Sequence, residues 1–431
     1  MKLSLSLAAL LAVNTLAQTG AASPDERALA TFIDEHNTEA LVLLEKTVNI
    51  NSGTGNHAGV RAVGQLFRTE FDALGFKTTW VDGAAFQRAG HLVADHPGPG
   101  PRILLIGHLD TVFEADSPFQ TFTRTGANAA SGPGIIDMKG GDVVIIQALK
   151  ALNSTGALAS MNLVAVMTGD EEDGGRPLSL SRAALVDAAK GATYAIGFEN
   201  GDSNIAHAVS ARRGVQSWEL RVAAKTGHSS QVFTTDAGNG AIFEAASILN
   251  TFREKLGREP HLTINPGVIG GGTTATYESK SATVTSSGKT NVIAAEAITT
   301  GDMRALTLDQ FSKTRAAMEA IAKSAQSATT TATITFGEGY PPLSPSPGND
   351  ALLAAFNTAS QDLGLGAVTA VSPDRAGAAD VSFIGSQVKN AIDAVGMKGG
   401  DDHSPAEHAD LNSLSIQAKR AAVTLRRLSK R

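Results

Sequence analysis

Residues 102–113 constrain the fold more than any other stretch of this sequence. The apolar run Ile-Leu-Leu-Ile at 103–106 is typical of a strand that is buried on both faces, as in a parallel sheet. A glycine ends the run, and His108 and Asp110 follow two residues apart, so in extended backbone their side chains point the same way. The imidazole could bind a metal ion while the carboxylate orients the ring. A solvated His and Asp at a strand end would give the same pattern, so the rest of the chain has to decide.

The segments around this strand alternate between helix and strand patterns. Ser23 is a predicted helix cap, with Pro24 at the first position and Glu26 three residues after the cap. Further helices are predicted at 57–74 and 142–152, and strands at 76–81, 91–94, 163–167, 192–198 and 391–395. The alternation predicts an α/β fold with a mostly parallel sheet and helices on both faces.

A different pattern occupies residues 211–327 and the strand pattern that follows them directly. Strand, helix, two strands, helix and strand follow one another at 214–224, 239–255, 262–269, 291–304, 308–324 and 331–336. The order βαββαβ is that of a ferredoxin-like α+β fold. Because 431 residues exceed what one hydrophobic core usually fills, we predict two domains. Residues 211–327 form a domain inserted into a catalytic domain of residues 23–210 and 328–431.

The composition excludes several classes of protein. There is no cysteine, so disulfides, thiolate chemistry and cysteine-bound zinc are ruled out, and a metal ion would need His and carboxylate ligands. The net charge of -6 argues against a nucleic-acid partner. Beyond the N-terminus no apolar run is long enough to cross a membrane. Residues 1–22 have a basic start, an apolar core at 7–13 and small residues at Ala17 and Ala22, which predicts a secretory signal and export to a bacterial periplasm or the medium.

Side chains that could bind metal ions follow several predicted strands. Taken singly, Asp137 would suit a helix cap, and the acidic run at 170–173 would suit a solvated loop. Taken together, they collect at the edge where open α/β sheets bind ligands, and adjacent carboxylates repel one another unless a cation compensates them. The candidate ligands are His108, Asp137, one member of the pair Glu171 and Glu172, Glu199 and His403.

Two histidines and three carboxylates suit a pair of zinc ions, with manganese or cobalt as substitutes. One carboxylate then has to bridge the two ions, and a second acid that is not a ligand has to take a proton from the attacking water. Of the neighbours Glu171 and Glu172, one could be the metal ligand and the other the acid that takes the proton.

Seven stretches together resemble the co-catalytic di-zinc metallopeptidase family that includes carboxypeptidase G, aminoacylase and succinyl-diaminopimelate desuccinylase. They follow the family's order across nearly the whole chain, and within the family they are most similar to carboxypeptidase G. The stretches are Gly-His-Leu-Asp-Thr at 107–111, Gly-Pro-Gly-Ile-Ile-Asp-Met-Lys-Gly-Gly at 132–141, Asp-Glu-Glu at 170–172, Gly-Phe-Glu at 197–199, Lys-Thr-Gly-His-Ser-Ser at 225–230, Thr-Asn-Val-Ile at 290–293 with Asp-Met-Arg at 302–304, and His-Ser-Pro-Ala-Glu at 403–407.

The resemblance implies a role for each site residue. Asp110 would orient His108, and Glu171 would be the general acid/base for attack by a metal-bound hydroxide. The inserted domain would form a homodimer, and His228 would steady the oxyanion. The implied ligands are His108 and Glu199 for one ion, Glu172 and His403 for the other, and Asp137 between them.

The expected reaction is cleavage of an amide bond next to a C-terminal amino acid, because a Glu at position 199 is typical of carboxypeptidases and deacylases in the family. We predict that Arg304 and Asn291 bind the free carboxylate of a small peptide or N-acyl amino acid. Deacylation of N-acyl amino acids remains an alternative with the same chemistry, and a catalytically silent metal-binding protein is a second.

Two positions depart from the family's usual pattern. Residues 377–380 are Gly-Ala-Ala-Asp where Gly-Gly-Thr-Asp is usual. Asp402 precedes the last metal-binding His, where close relatives often carry an aromatic residue. A carboxylate at this position could alter the metal environment or the substrate pocket.

Overall fold

A computed structural model of the chain describes residues 21–430. The predicted secretory signal therefore lies outside the described residues, except for Ala21 and Ala22. Across the described range, no helix combines the length and the apolar character that a membrane span requires.

The elements are given in chain order. Up to residue 210 the helices are α1 (Pro24–Glu35), α2 (Asn37–Val48), α3 (His57–Ala73), α4 (Lys139–Ser154), α5 (Leu178–Ser181) and α6 (Ala183–Ala188). The strands of this part are β1 (Lys77–Asp82), β2 (Gly90–His96), β3 (Arg102–His108), β4 (Thr123–Gly126), β5 (Ala129–Ser131), β6 (Asn162–Thr168), β7 (Ala192–Gly197) and β8 (His207–Ala208).

The remainder of the chain is divided at residue 340. Before it come β9 (Gly214–Ala224), α7 (Ala241–Leu256), β10 (Thr263–Gly272), β11 (Thr274–Glu278), β12 (Thr283–Ser287), β13 (Glu296–Ala305), α8 (Leu308–Ser324) and β14 (Thr330–Tyr340). After it come α9 (Pro347–Asp362), β15 (Thr369–Ala370), β16 (Ala391–Ile392), β17 (Gly399–Gly400), β18 (His408–Asp410) and α10 (Asn412–Leu428).

The central sheet has six strands in the order β1-β2-β6-β3-β7-β16. Strand β3 pairs in parallel with β6 and β7, and β7 pairs in parallel with β16. The sheet is mixed, because β1 and β2 are joined by a short connection that forces antiparallel pairing, and β2 is also antiparallel to β6. The predicted parallel sheet is therefore correct for four strands, and the hairpin β1–β2 adds two antiparallel ones.

Strand β3 is buried on both faces, as its apolar run predicts. Ile103 and Leu105 pack into the large core that includes residues of α1, α3, α4 and α10. Leu104 and Ile106 point to the opposite face, into a smaller core with Leu185 of α6. At the start of the chain, the predicted capping box is also present: the Ser23 hydroxyl accepts from the Glu26 N–H, and the Glu26 carboxylate accepts from the Ser23 N–H.

Residues 214–340, called the inserted unit below, build a separate antiparallel sheet in the order β10-β13-β9-β14. Helices α7 and α8 cover one face of this sheet, with Phe252 and Met318 packed against Trp218 and Leu220. The strand order and the two helices match the predicted ferredoxin-like arrangement. The hairpin β11–β12 is an addition that the sequence pattern did not indicate.

Two predicted boundaries in this region are wrong. The inserted unit does not end at residue 327, because β14 pairs with β9 as far as Tyr340 opposite Val215. The strand that was predicted to begin at Asn291 begins at Glu296. Asn291 instead lies in a connection that is held to the turn after β9, since its carbonyl accepts from the Ser229 N–H.

Candidate metal centre

The candidate ligands lie beyond the C-terminal ends of neighbouring parallel strands. His108 is the last residue of β3, the acidic loop at 170–173 follows β6, and Glu199 follows β7 by two residues. Asp137 and His403 come from two longer loops. A small sheet brings these loops together, because β18 pairs with β5 and places residues 403–408 beside residues 131–137.

Asp137 lies between the two histidines and offers one oxygen to each. Its Oδ1 is 3.2 Å from His108 Nε2, and its Oδ2 is 3.0 Å from His403 Nε2. Glu199 Oε1 is 3.3 Å from His108 Nε2, and Glu172 Oε2 is 3.2 Å from His403 Nε2. The five predicted ligands therefore form two half-sites that share Asp137.

The two half-sites differ in exposure. The His108 side chain is 1% exposed, whereas the His403 side chain is 56% exposed. The glutamate of each half-site, Glu199 beside His108 and Glu172 beside His403, is largely buried. One half-site is therefore buried against the sheet, and the other opens to solvent.

The electrostatics of the site show an excess of buried negative charge. Burial, together with the nearby Asp137 carboxylate, raises the pKa of Glu199 to about 7 and that of Glu172 to about 7. Hydrogen bonds to Asp137 and Glu172 raise the pKa of His403 to about 11. Burial opposes the charged form of His108, but Glu199, Asp110 and Asp137 raise its pKa well above the usual value.

This donor set fits two divalent cations. Carboxylates this close together repel one another unless positive charge lies between them. Two imidazoles and three carboxylates are ligands that first-row divalent ions accept. A shared carboxylate with one oxygen toward each half-site is what a two-ion site requires. His108 and His403 have to be neutral to bind metal, so metal binding would release protons.

Asp110 connects the His108 half-site to the acidic loop. It is fully buried, and its Oδ1 lies 3.5 Å from His108 Nδ1. Its two oxygens accept from the N–H groups of Glu171 and Glu172 at 3.0 and 3.1 Å, and from the Thr54 hydroxyl at 2.6 Å. Burial would raise the pKa of Asp110, but the hydrogen bonds from His108, Thr54 and Glu171 lower it overall. Asp110 thus positions both the imidazole and the backbone of the predicted general base.

The Glu171 side chain belongs to the same buried group without being a member of either half-site. Burial raises the pKa of Glu171 well above its usual value; His108 opposes this rise, while Asp380, Glu199 and Glu172 add to it. A carboxylate with a raised pKa binds a proton more tightly than an ordinary carboxylate does, and it can then return that proton as a general acid. The role of Glu171 as general acid/base stays a prediction.

Glu407 holds the Asp137 loop in place, a role that the sequence did not indicate. It is fully buried, and its carboxylate accepts from the N–H groups of Gly134, Ile136 and Asp137 at 2.8, 2.9 and 3.3 Å. Burial raises the pKa of Glu407 to about 7, partly offset by these bonds. Its position in the stretch 403–407, four residues after His403, was the available signal.

A buried ion-pair network centred on Arg182 holds the acidic loop at 170–173 in place. Arg182 donates to Asp170 Oδ1 at 2.6 Å and to Asp380 Oδ1 at 2.7 Å. Tyr340, the last residue of β14, donates its hydroxyl to the Glu171 carbonyl at 2.8 Å. Asp380 belongs to the loop at 377–380 that departs from the family pattern, and its partner in the structure is this arginine. Asp170 is therefore structural, and Tyr340 ties the inserted unit to the site.

The three predicted substrate-binding residues are not brought together with the metal ligands. His228 is exposed, and its Nδ1 lies 2.8 Å from the Ser230 hydroxyl. Arg304 pairs with Asp302, its Nε 3.2 Å from Asp302 Oδ2, and Asn291 is exposed in its connection. All three belong to the inserted unit, and their hydrogen bonds and ion pairs are with other residues of that unit.

A profile of the family described as Peptidase family M20/M25/M40 matches residues 104–427. The chain belongs to this family. It is therefore a hydrolase of the peptidase/amidohydrolase type, and the resemblance noted in the sequence is confirmed. The match spans every candidate ligand from His108 to His403.

Relatives of known name cover nearly the full length of this M20 chain. Carboxypeptidase G2 from Pseudomonas sp. (strain RS-16) is 26% identical over 430 residues, which is 97% of this chain and 96% of that protein. A tripeptidase structure from Staphylococcus aureus superposes with a TM-score of 0.71 at 20% identity, covering 92% of this chain and 99% of that one. A dinuclear metal-binding peptidase of the M20 family from Bacillus subtilis has a TM-score of 0.65 at 15% identity, covering 92% and 99%.

Proposed function

We propose that the protein is an exported, zinc-dependent hydrolase that cleaves the amide bond next to a C-terminal amino acid with a free carboxylate. The observation that carries the proposal is Asp137, whose two oxygens each approach one histidine of a half-site. The name of the relative carboxypeptidase G2 supports the direction of cleavage. Its identity of 26% leaves the preferred residue open.

The proposed roles follow from the contacts. Two zinc ions would polarise the scissile carbonyl and make a water more acidic. One ion would be held by His108 and Glu199 and the other by Glu172 and His403. Asp137 would be a ligand of both. Glu171 takes the proton from that water and gives it to the leaving amine. Asp110 keeps His108 in position through its backbone carbonyl, 3.1 Å from His108 Nδ1, and holds the Glu171 backbone because its carboxylate accepts from the Glu171 N–H.

Binding of the substrate carboxylate is assigned to Arg304 and Asn291, and oxyanion stabilisation to His228. An Arg offers a planar pair of donors that fits a carboxylate, and Arg304 and its partner Asp302 are both partly exposed to solvent. Because these three residues now bond to other residues of the inserted unit, their roles require closure of that unit over the site or a contribution from a second chain.

A homodimer formed through the inserted unit is part of the proposal. Strand β10 lies at an edge of its sheet, and exposed edges with apolar neighbours are typical of interfaces. Four exposed apolar side chains lie on β10, on α7 and in the turn after β9: Phe233, Ile242, Phe243 and Ile269. Sedimentation of the purified protein tests this part, and a fully active monomer would count against it.

Export rests on the pattern of residues 1–22 alone. N-terminal sequencing of protein recovered from the periplasm or the medium tests it. A mature chain that starts near Gln18 or Ser23 would support export, and an intact Met1 would contradict it.

The test of the reaction is a release assay over dipeptides and N-acyl amino acids with varied C-terminal residues, each as free acid and as amide. The proposal expects that free acids react far faster than amides. The panel also separates peptide cleavage from deacylation, since the two substrate classes share the same C-terminal half. Equal rates for acids and amides would overturn the carboxypeptidase-type assignment.

A further inference from the structure

The solvent-facing half-site contains a carboxylate that the family pattern does not assign. One oxygen of Asp402, one oxygen of Asp137 and one ring nitrogen of His403 all lie within 4.8 Å of one another. This spacing allows the three atoms to contact a single cation. In the buried half-site, one ligand atom each of His108, Asp137 and Glu199 also lie within 4.8 Å of one another.

A hydrogen bond from the residue next to Glu199 orients the Asp402 carboxylate. The Asn200 side-chain amide donates to Asp402 Oδ2 at 3.2 Å. Asn200 directly follows Glu199, a candidate ligand of the buried ion. A carboxylate has about four lone-pair positions, so it can accept this bond and still bind a cation.

We propose that Asp402 is a further ligand of the ion held by His403 and Glu172. The inference rests on the proposed two-ion site and adds a ligand to it. The carboxylates would then be Asp137, Glu172, Glu199 and Asp402, whose four negative charges balance two dications. The solvent-facing ion would have three carboxylates and one imidazole, an oxygen-rich set that suits manganese better than the buried set does.

The competing explanation is that Asp402 is a solvated surface acid whose charge matters no more than that of its neighbours. Asp401 provides a matched control, because it is also exposed, carries the same charge and precedes Asp402 directly. Its carboxylate lies 3.5 Å from His408 Nδ1 instead of facing Asp137. Any general effect of charge on cation binding should be equal for the two residues.

The experiment is a titration of the metal-free full-length protein with Zn²⁺ and with Mn²⁺ against a competing chelator, for the unmodified chain, Asp402→Asn and Asp401→Asn. Loss of even an indirect partner of a metal ligand weakens binding about 10- to 100-fold. Asp402→Asn is therefore expected to weaken binding of the solvent-facing ion at least about 10-fold, and binding of Mn²⁺ more than that of Zn²⁺. The affinity for the buried ion should be unchanged. Asn200→Ala should weaken binding of the solvent-facing ion by a smaller factor.

The outcomes separate this inference from the proposed function. If Asp402→Asn binds both ions as Asp401→Asn does, the inference is overturned and the two-ion hydrolase stands. If the unmodified chain binds a single ion, both are overturned. If it binds two ions without hydrolysing any amide, the function alone fails, and the difference between the two variants still decides the role of Asp402.

Discussion

The metal-ligand edge of the central sheet and the inserted unit differ in how far the fold arranges their polar side chains. At the sheet edge, each candidate carboxylate ligand already has an oxygen within 3.3 Å of a ring nitrogen of His108 or His403. On the inserted unit, the residues expected to contact substrate make only local contacts, as Arg304 does with Asp302. The candidate metal ligands are thus preorganised, while the proposed recognition of the substrate would need closure of the inserted unit or a residue from a second chain.

The largest expected effect on the preorganised side comes from Glu171→Gln. Loss of the general base should lower kcat by about 10²- to 10⁴-fold, while both ions remain bound. Glu172→Gln is the matched control, since it should lose the solvent-facing ion. Activity assays with metal analysis check both variants, and loss of metal from Glu171→Gln would show that the two glutamates are assigned the wrong way round.

On the inserted unit, His228→Ala should lower kcat by about 10²- to 10³-fold, because one donor to the developing oxyanion is removed. KM and metal content should change little. The exposed residue Gln231 lies in the same turn, and Gln231→Ala should keep full activity. A fully active His228→Ala variant would mean that this side chain never reaches the site.

Arg304→Ala should slow free-acid substrates and leave amidated ones nearly unchanged. A charge-assisted contact contributes roughly 1.5–3 kcal/mol, which is about 10- to 150-fold in transition-state binding. Arg253 is an exposed arginine on α7 of the same unit, and Arg253→Ala serves as the control. An equal loss on acids and amides would assign Arg304 a structural role.

The smallest effect concerns stability of the region that carries the metal ligands. Arg427 Nε donates to Glu26 Oε1 at 2.7 Å, and hydrogen bonds from Arg427 lower the pKa of Glu26 to about 2, although burial opposes this. Because the folded-state pKa is depressed, the stabilisation is complete above pH about 4.5 and is lost as the pH falls toward 2.

Since the pair is partly solvated, Glu26→Gln should cost only about 1 kcal/mol at pH 7, and less at pH 3. Urea unfolding at the two pH values measures the difference. Metal content and KM should be the same as in the unmodified chain, and a constant difference across the pH range would contradict the assignment.

The convergence of the candidate ligands could be predicted from the sequence more fully than the bounds of the inserted unit, and the reason is physical. An apolar run such as 103–106 can be recognised locally, and parallel strands bring the residues after them to one edge, so His108 and Glu199 could be placed together from the sequence alone. Glu407 and Tyr340 act through contacts more than 150 residues away along the chain, which no local pattern reports. The start of β13 at Glu296 was missed because the pairing of Asn291 with the turn after β9 is also a long-range contact.

We expect one chain to hold two divalent ions that share Asp137. Metal analysis of the purified full-length protein after equilibration with Zn²⁺ tests it most directly, with Asp137→Asn measured in parallel. We expect close to two ions per chain for the unmodified protein and weakened binding of both ions in the variant. A single tightly bound ion, or a variant that still binds two ions with unchanged affinity, would contradict it.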